Sequence, residues 1–551
     1  MKGLVKKGLA LSLIFAFAAS TMAGCGDEGK GSGGAVSIVD GKFVEPVTIT
    51  HAVAADSAQK FAEGQSYDKN VWTDYIEEQL GIKLEVAWSA DNGTEAYGNK
   101  LTMGIANGDL PDIFTAYYST YAEAANEGLL ADMTDLIEEY GSDRLKAIFE
   151  ANADLIDACK IDGKLYCIPA LSVASEVNTQ FLWIRQDWLD AVHMSAPTTW
   201  DELVEVARAF TTQDPDGNGK DDTYGIGLSG TSPWWGGVAS FEGFAAAFHA
   251  VGSQNWIKDA DGRIVYGGVQ PEMKEALAAA AQLYQEGILD PEFNTKDVDA
   301  VIADVYSNKI GMLFGMNYAG YWPLGSVVEE NPDAVWKPYA FVSADSTPAS
   351  CSTWWPLDQY TCVAASCENP AAAVLIANLY VETLNDETPA EISAIYDYAG
   401  DVSAYMLCPV RLSSGTTELD TYRKIKAISE GTLSYEDLEG KYKSNYDSVQ
   451  AYVDGDVSQY GYWSQLGIGG CIGIVVDEYM PGNRVILTEI HGGFPTEVSG
   501  DMGMIQSKEV EYYAKIISGV LPVDAFEDWL AEFETLGGSH VTDVVNETFN
   551  H

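Results

Sequence analysis

The segment Asp214-Pro215-Asp216-Gly217-Asn218-Gly219-Lys220-Asp221-Asp222 sets oxygen-bearing side chains at alternate positions of a stretch that its glycines allow to turn tightly. A hard cation such as calcium takes oxygen ligands at that spacing. Asp214, Asp216 and Asn218 fall at positions 1, 3 and 5 of a calcium-binding loop, with Gly219 at 6, the Lys220 carbonyl at 7 and Asp222 at 9. Position 12 is Gly225 and not a bidentate glutamate. The loop is therefore no complete EF-hand, and a calcium ion held there is expected to be structural.

A second chemistry is carried by aromatic doublets: Tyr117-Tyr118, Trp234-Trp235, Tyr321-Trp322 and Trp354-Trp355, with Tyr318 close to the third. Broad rings with a polar edge suit the C–H faces and hydroxyls of a sugar. Tyr117-Tyr118 follows the strand-like DIFTA, and Trp234-Trp235 follows the strand-like YGIGLSG. Ligands of open α/β sheets bind beyond the carboxyl ends of strands, so both doublets are placed to line a cleft. Asp112 and Arg185 are the candidate polar partners. Each has a competing local role, Asp112 as a helix cap and Arg185 as the partner of Asp187 or Asp190.

Catalytic signatures point elsewhere. HExxH, GxSxG and the phosphate-cradling GxxxxGK[ST] do not occur. The six histidines are scattered. A glycosidase needs only two placed carboxylates, which spacing alone does not identify, so a secreted glycoside hydrolase stays as an alternative to a binding protein.

The elements that must position these residues alternate in type. VTITHAVA, VWTDYIEEQLG, IKLEVAWSA, YGNKLTMGIANG and DIFTAY read as strand, helix, strand, helix and strand, the signature of an α/β layer. Gly81 and Gly108 stand where the two helices should stop, and Thr199 should cap the helix of TTWDELVEVARAF. The chain is too long for one sheet, and two α/β lobes are expected. The N-terminal lobe is assigned 45–172 and 356–405, the C-terminal lobe 173–355 and 406–551.

The amino terminus has Lys2, Lys6 and Lys7 ahead of an apolar run from Leu9 to Ala19, a secretory signal that is too short to span a bilayer. Residues 1–24 are assigned to it. Met22-Ala23-Gly24-Cys25 resembles a bacterial lipobox, which makes Cys25 the acylated first mature residue. Residues 25–44, rich in Gly and Ser, are expected to form a flexible tether. The formal charge of −51 argues against nucleic-acid partners. Of the eight cysteines, seven remain beyond Cys25, and none is spaced as a CxxC zinc pair. Cys159 and Cys167 flank Asp162-Gly163 and are placed to face each other across a turn.

LTMGIANGDLPDIF and LWIRQDWLDAVHMSAPTTWDEL, with DPDGNGKDDTYGIG, KIGMLFGMNYAGYWP and YYAKIISGVLPVDAFEDWLAEFETLGG in the same order, resemble the family 1 extracellular solute-binding proteins of ABC importers. The likeness is to the long lipoprotein branch that includes alginate-oligosaccharide-binding proteins. It implies a type II periplasmic-binding fold, with two lobes, a hinge and an interlobe cleft. It also implies capture of a carbohydrate, delivery to a separate permease and ATPase, a monomeric state, and a lipid-anchored position on the extracellular face of the cell membrane. A sensory or adhesive glycan-binding lipoprotein without a permease is the other alternative. Residues 410–490 fall outside the matching blocks.

Overall fold

A computed structural model describes residues 37–550 apart from 57–58, 93–95, 172–173, 232–236, 354, 358, 400–401 and 491–493. Cys25, Trp234, Trp235 and Trp354 lie outside the described residues. The principal strands are, in chain order, β1 Val47–Ala55, β2 Ile82–Asp91, β3 Ile113–Ala116, β4 Cys167–Pro169, β5 Gln180–Arg185, β6 Tyr224–Gly227, β7 Ile310–Met316, β8 Trp336–Tyr339 and β9 Tyr360–Val363. The helices used below are α1 Val71–Leu80, α2 Tyr118–Asn126, α3 Trp200–Thr212, α4 Tyr460–Leu466, α5 Thr496–Ile517 and α6 Gly538–Phe549.

The first sheet has the order β2-β1-β3-β9-β4. β1 is parallel to β2 and β3, whereas β9 returns from much later in the chain and runs antiparallel to β3 and β4. Alternating residues of β1 are buried, as a strand with one covered face requires. α1 covers that face with Trp72, Ile76 and Leu80, and stops where Gly81 enters the left-handed region at φ 67°. The second sheet has the order β8-β5-β7-β6, with β7 antiparallel to β5 and parallel to β6. β5 and β7 are buried along their whole lengths. On α3, Leu203, Val206, Ala207 and Phe210 recur at helical spacing and are buried, and the Thr199 hydroxyl accepts from the Glu202 N–H at the start.

The buried apolar residues form two cores. One runs from Phe43 to Leu171 and from Trp355 to Leu412, the other from Val177 to Cys351 and from Leu419 to Phe549. This is the two-lobed type II arrangement, and the chain crosses between lobes three times. The crossings lie side by side: the Thr353 hydroxyl donates to the Asn178 carbonyl at 2.7 Å, and the Ser413 N–H donates to the Leu171 carbonyl at 2.8 Å. The last crossing, between Leu412 and Leu419, lies later in the chain than the division expected at 405/406. Tyr118 packs against both cores, and its ring centroid is 5.7 Å from that of Phe549 on α6.

The tether expected to reach residue 44 ends earlier. Ile38–Val39 and Lys42–Phe43 pair as a small antiparallel hairpin, and Phe43 is buried in the first core. The reason is a turn signal that composition hid: Asp40 and Gly41 both take positive φ, 49° and 74°, as the tightest hairpin turn requires. All seven described cysteines are buried and free of disulfides. The neighbouring Cys167 thiol and burial hold the Cys159 thiol well above its usual range; its own Sγ donates to the Leu155 carbonyl at 3.1 Å.

Within the second core, Glu509 of α5 is fully buried. Its Oε2 accepts from the Tyr266 hydroxyl at 2.6 Å and from Gln254 Nε2 at 2.9 Å. Gly268 leaves the room, since a Cβ there would lie 2.0 Å from Glu509 Oε1. Burial pushes the pKa of this carboxyl up to about 8.

Candidate functional site

The carboxyl end of β3 leads directly to Tyr117, which occupies the N-cap position of α2 and is 50% exposed. With Asn92, Tyr97, Thr115 and Gln359 it lines a recess at that edge of the first lobe. Tyr118 takes the opposite course. Its ring lies against Tyr121 and Tyr360 as well as Phe549, so the doublet divides into one presented ring and one packed ring.

On the second lobe, β7 ends at Met316 and the chain turns through Asn317–Gly320. This turn presents Tyr318, Tyr321 and Trp322, all exposed, with Trp322 at 49%. Two glycines seat it. A Cβ on Gly320 would meet Ser464 Oγ at 2.1 Å, and one on Gly461 would meet the Tyr321 ring at 2.4 Å. The turn and α4 therefore pack with backbone against ring, and the Gln465 amide donates to the Asn317 carbonyl.

Helix α4 adds a ring that the sequence reading did not single out. Tyr462 stands edge-on to Tyr321 with centroids 5.7 Å apart, and it is exposed. It lies in the 410–490 stretch. The available signal was the alternation of glycine and aromatics in Tyr460-Gly461-Tyr462-Trp463. From the first lobe Tyr398 comes close enough to Tyr462 for that neighbour to add to the upward shift of its hydroxyl, which burial chiefly pushes up to about 12. Tyr398 also faces Tyr405 at 5.4 Å. Behind this pair opens a cavity of about 410 Å³, lined by Gln359, Tyr398, Tyr405, Arg411, Ser413 and Lys441 among others. Gln359 borders both this cavity and the Tyr117 recess, so the two are neighbours along one edge. The rings that line these two recesses, Tyr97, Tyr117, Tyr380, Tyr398 and Tyr405, all come from the first lobe, beside polar groups such as Gln359 and Arg411, and broad rings with polar neighbours suit a sugar.

Three expected ligand contacts are corrected by their placement. Asp112 precedes β3 and so sits at the strand end opposite Tyr117. Its carboxylate accepts from the Thr50 N–H and hydroxyl, both at 2.8 Å. Arg185 ends β5 beside Trp336, whereas the cleft end of that strand is Gln180 beside Met316. Its guanidinium is spent on Asp187 at 2.6 and 2.8 Å and on Asn308 at 2.5 Å, over the Trp188 ring, with the side chain 3% exposed. Trp355 is 7% exposed and belongs to the first core.

The acidic loop joins α3 to β6. Asp214 Oδ2 accepts from the Gly219 N–H at 3.0 Å, and Lys220 N–H donates to Asn218 Oδ1 at 2.8 Å. The Asn218 amide donates to Asp216 Oδ2 at 2.7 Å and to Asp222 Oδ1 at 3.0 Å. Among the described residues no three His, Cys, Asp or Glu side chains gather as a metal centre. One feature fits a cation nevertheless: Asp214 Oδ1 is buried and has no protein partner, a cost that an ion beside it would relieve. Carboxylate, amide and carbonyl oxygens are also the donor set that calcium prefers.

Residues 58–382, more than half of the chain, match the family described as bacterial extracellular solute-binding protein, and the chain belongs to that family. It is 29% identical over 224 residues to the polygalacturonan/rhamnogalacturonan-binding protein YtcQ of Bacillus subtilis, covering 40% of this chain and 41% of that one. It is 26% identical over 252 residues to the fructooligosaccharide ABC transporter substrate-binding protein FusA of Streptococcus pneumoniae, covering 43% and 45%. The matched stretches span less than half the length of these curated relatives. Among solved structures, an HMO-binding, ABC-transporter-associated solute-binding protein from Bifidobacterium longum infantis shares the fold. Its TM-score is 0.61 at 16% identity, over 92% of this chain and 99% of that one. A FusA structure described as an EF-hand mutant with fructo-nystose aligns with a TM-score of 0.55 at 16% identity, over 92% and 99%.

Proposed function

We propose that this chain is the substrate-binding lipoprotein of an ABC importer, that it binds an oligosaccharide between its lobes without chemically altering it, and that it passes the sugar to separate permease and ATPase subunits. The observation that carries the reading is the presence of exposed rings on both lobes: Tyr117 and Tyr398 on one, Tyr318, Tyr321, Trp322 and Tyr462 on the other. FusA and YtcQ, by their names, bind a neutral and an acidic glycan, so likeness supports a sugar and leaves its charge open.

A thermal-shift panel of neutral and acidic oligosaccharides tests the reading, since a ligand at 100 times its Kd adds about 2.7 kcal/mol of stability. Trp322→Ala should weaken the best ligand by about tenfold or more, about 1.4 kcal/mol. Its ligand-free melting temperature should hardly move, because the half-exposed ring supports no core. A panel without any shift, or turnover of a bound glycan, would overturn the proposal.

Anchoring is proposed through acylated Cys25 at the extracellular face of the membrane. No helix among the described residues is long and apolar enough to cross a bilayer. Cys25→Ala should release a folded, sugar-binding protein from the membrane fraction, and unchanged membrane retention on fractionation would sink the idea. The loop from Asp214 to Asp222 is proposed to hold a structural calcium ion through Asp214, Asp216, Asn218, the Lys220 carbonyl and Asp222. The unpartnered Asp214 Oδ1, and the EF-hand described for FusA, support that reading.

A further inference from the structure

The sequence has seven arginines, and six of them are held by carboxylates: Arg144 by Glu382, Arg185 by Asp187, Arg208 by Glu286, Arg263 by Asp543, Arg423 by Asp420 and Arg484 by Glu478. Arg411 is the exception. It makes no hydrogen bond or ion pair with any described residue. In a chain with 82 Asp and Glu against 31 Lys and Arg, an unpaired guanidinium does not reflect a shortage of anions.

Its position gives the lack of a partner a meaning. Arg411 lies at the start of the third crossing between the lobes, partly buried, where Ser413 is bonded to Leu171. It lines the 410 Å³ cavity behind Tyr398 and Tyr405, a volume in the usual range for a small-ligand site. The other charged groups of that lining are Lys441 and Asp397, which face each other at 3.6 Å. Asp397 also accepts from the Ser393 hydroxyl at 3.3 Å. The lining therefore keeps one net positive charge inside a chain whose total is −51. Beyond Lys441, Asp386 is engaged by the Thr417 hydroxyl at 2.7 Å and the Ser414 hydroxyl at 3.1 Å.

We infer that this cavity receives a carboxylate-bearing sugar residue of the glycan, a uronate, with Arg411 gripping the carboxylate and Tyr398 and Tyr405 offering ring faces to the pyranose. A planar guanidinium matches a carboxylate with two parallel N–H donors and is more weakly hydrated than an ammonium, so Arg411 can discriminate where Lys441 only attracts. Gln359 and Ser413 supply neutral partners for adjacent hydroxyls. The inference rests on the sugar-binding reading and narrows it to acidic oligosaccharides.

The test uses the full mature chain. Calorimetric titration is done with oligomers of galacturonate, glucuronate and mannuronate, and with the same oligomers after reduction of their carboxyl groups to primary alcohols. The expected result is at least one uronate oligomer bound tenfold or more tightly than its reduced form, with affinity that falls as salt rises. Arg411→Gln should abolish that preference, and Arg411→Lys should restore only part of it. Equal affinity for acid and reduced forms overturns the inference, as does a preference that survives Arg411→Gln in a protein that melts like the parent. If no uronate binds but a neutral oligosaccharide from the panel does, the inference fails while sugar binding stands. If neither kind binds, the underlying reading fails as well.

Discussion

Between pH 5 and pH 8 the protein should lose stability more steeply than its Glu509→Gln variant. Glu509 keeps its proton in the folded state up to about pH 8 because burial disfavours the carboxylate, whereas the unfolded chain releases it near the ordinary glutamate value of about 4.5. Over that window the folded state holds more protons than the unfolded state, so unfolding becomes easier as pH rises. The contribution is fully present below about 4.5 and is lost by about 8, at about 1.4 kcal/mol per pH unit, which makes several kcal/mol in all. In the Glu509→Gln variant the new amide oxygen would still accept from Tyr266 and Gln254, and the amide has no proton to lose over this range. His51 acts in the other direction. Burial lowers its pKa to about 4, so its contribution is lost as pH falls from about 6.5 to 4. Comparing the two proteins cancels that term, since both retain His51. Melting curves at four pH values decide the matter, and parallel curves for the two proteins would show that Glu509 is ionised in the fold.

If the Asp214–Asp222 loop holds calcium as proposed, its removal should have the second large effect. Chelation should lower the melting temperature, and added calcium should restore it, because an ion that binds only the folded state at 100 times its Kd contributes about 2.7 kcal/mol. Asp216→Ala should abolish both responses. Asp216 is the informative choice, since its Oδ2 also accepts from Asn308 Nδ2 at 3.2 Å and Asn308 accepts from Arg185. The loop is thereby wired to the end of β5, so a change in it reaches the second core. Identical melting with chelator, with calcium and in the variant would reduce the loop to a turn.

The regular elements were legible because local rules and tertiary packing agree there. Gly81 and Thr199 terminate and start helices as their chemistry dictates, and the alternation along β1 survives as burial. The site was legible only in part. Tyr117 is exposed at a strand end as expected and Trp322 is also exposed, but a doublet does not say which of its rings turns inward, and Tyr118 did. Asp112 and Arg185 were misplaced because spacing does not reveal which end of a strand faces the cleft. Tyr462 and Arg411 escaped notice because their value depends on partners far along the chain: Tyr321 in one case, and the absence of any partner in the other. Phe43 and the hairpin around Asp40-Gly41 were masked by the glycines and charges that surround them.

The ring of Tyr118 against Phe549 has a thermodynamic consequence for capture. It joins residues of both cores, so an opening of the lobes that separates the two rings would have to break it. Such a pair is worth about 0.5–1.5 kcal/mol beyond the area it covers. That is enough to change the ratio of open to closed molecules by a factor of about 2 to 10. Apparent affinity scales with the fraction of molecules already in the binding-competent form. For a protein that captures its ligand by lobe closure, as proposed, this pair of rings would contribute to how dilute a ligand can be held, and substitution at position 549 would shift that threshold.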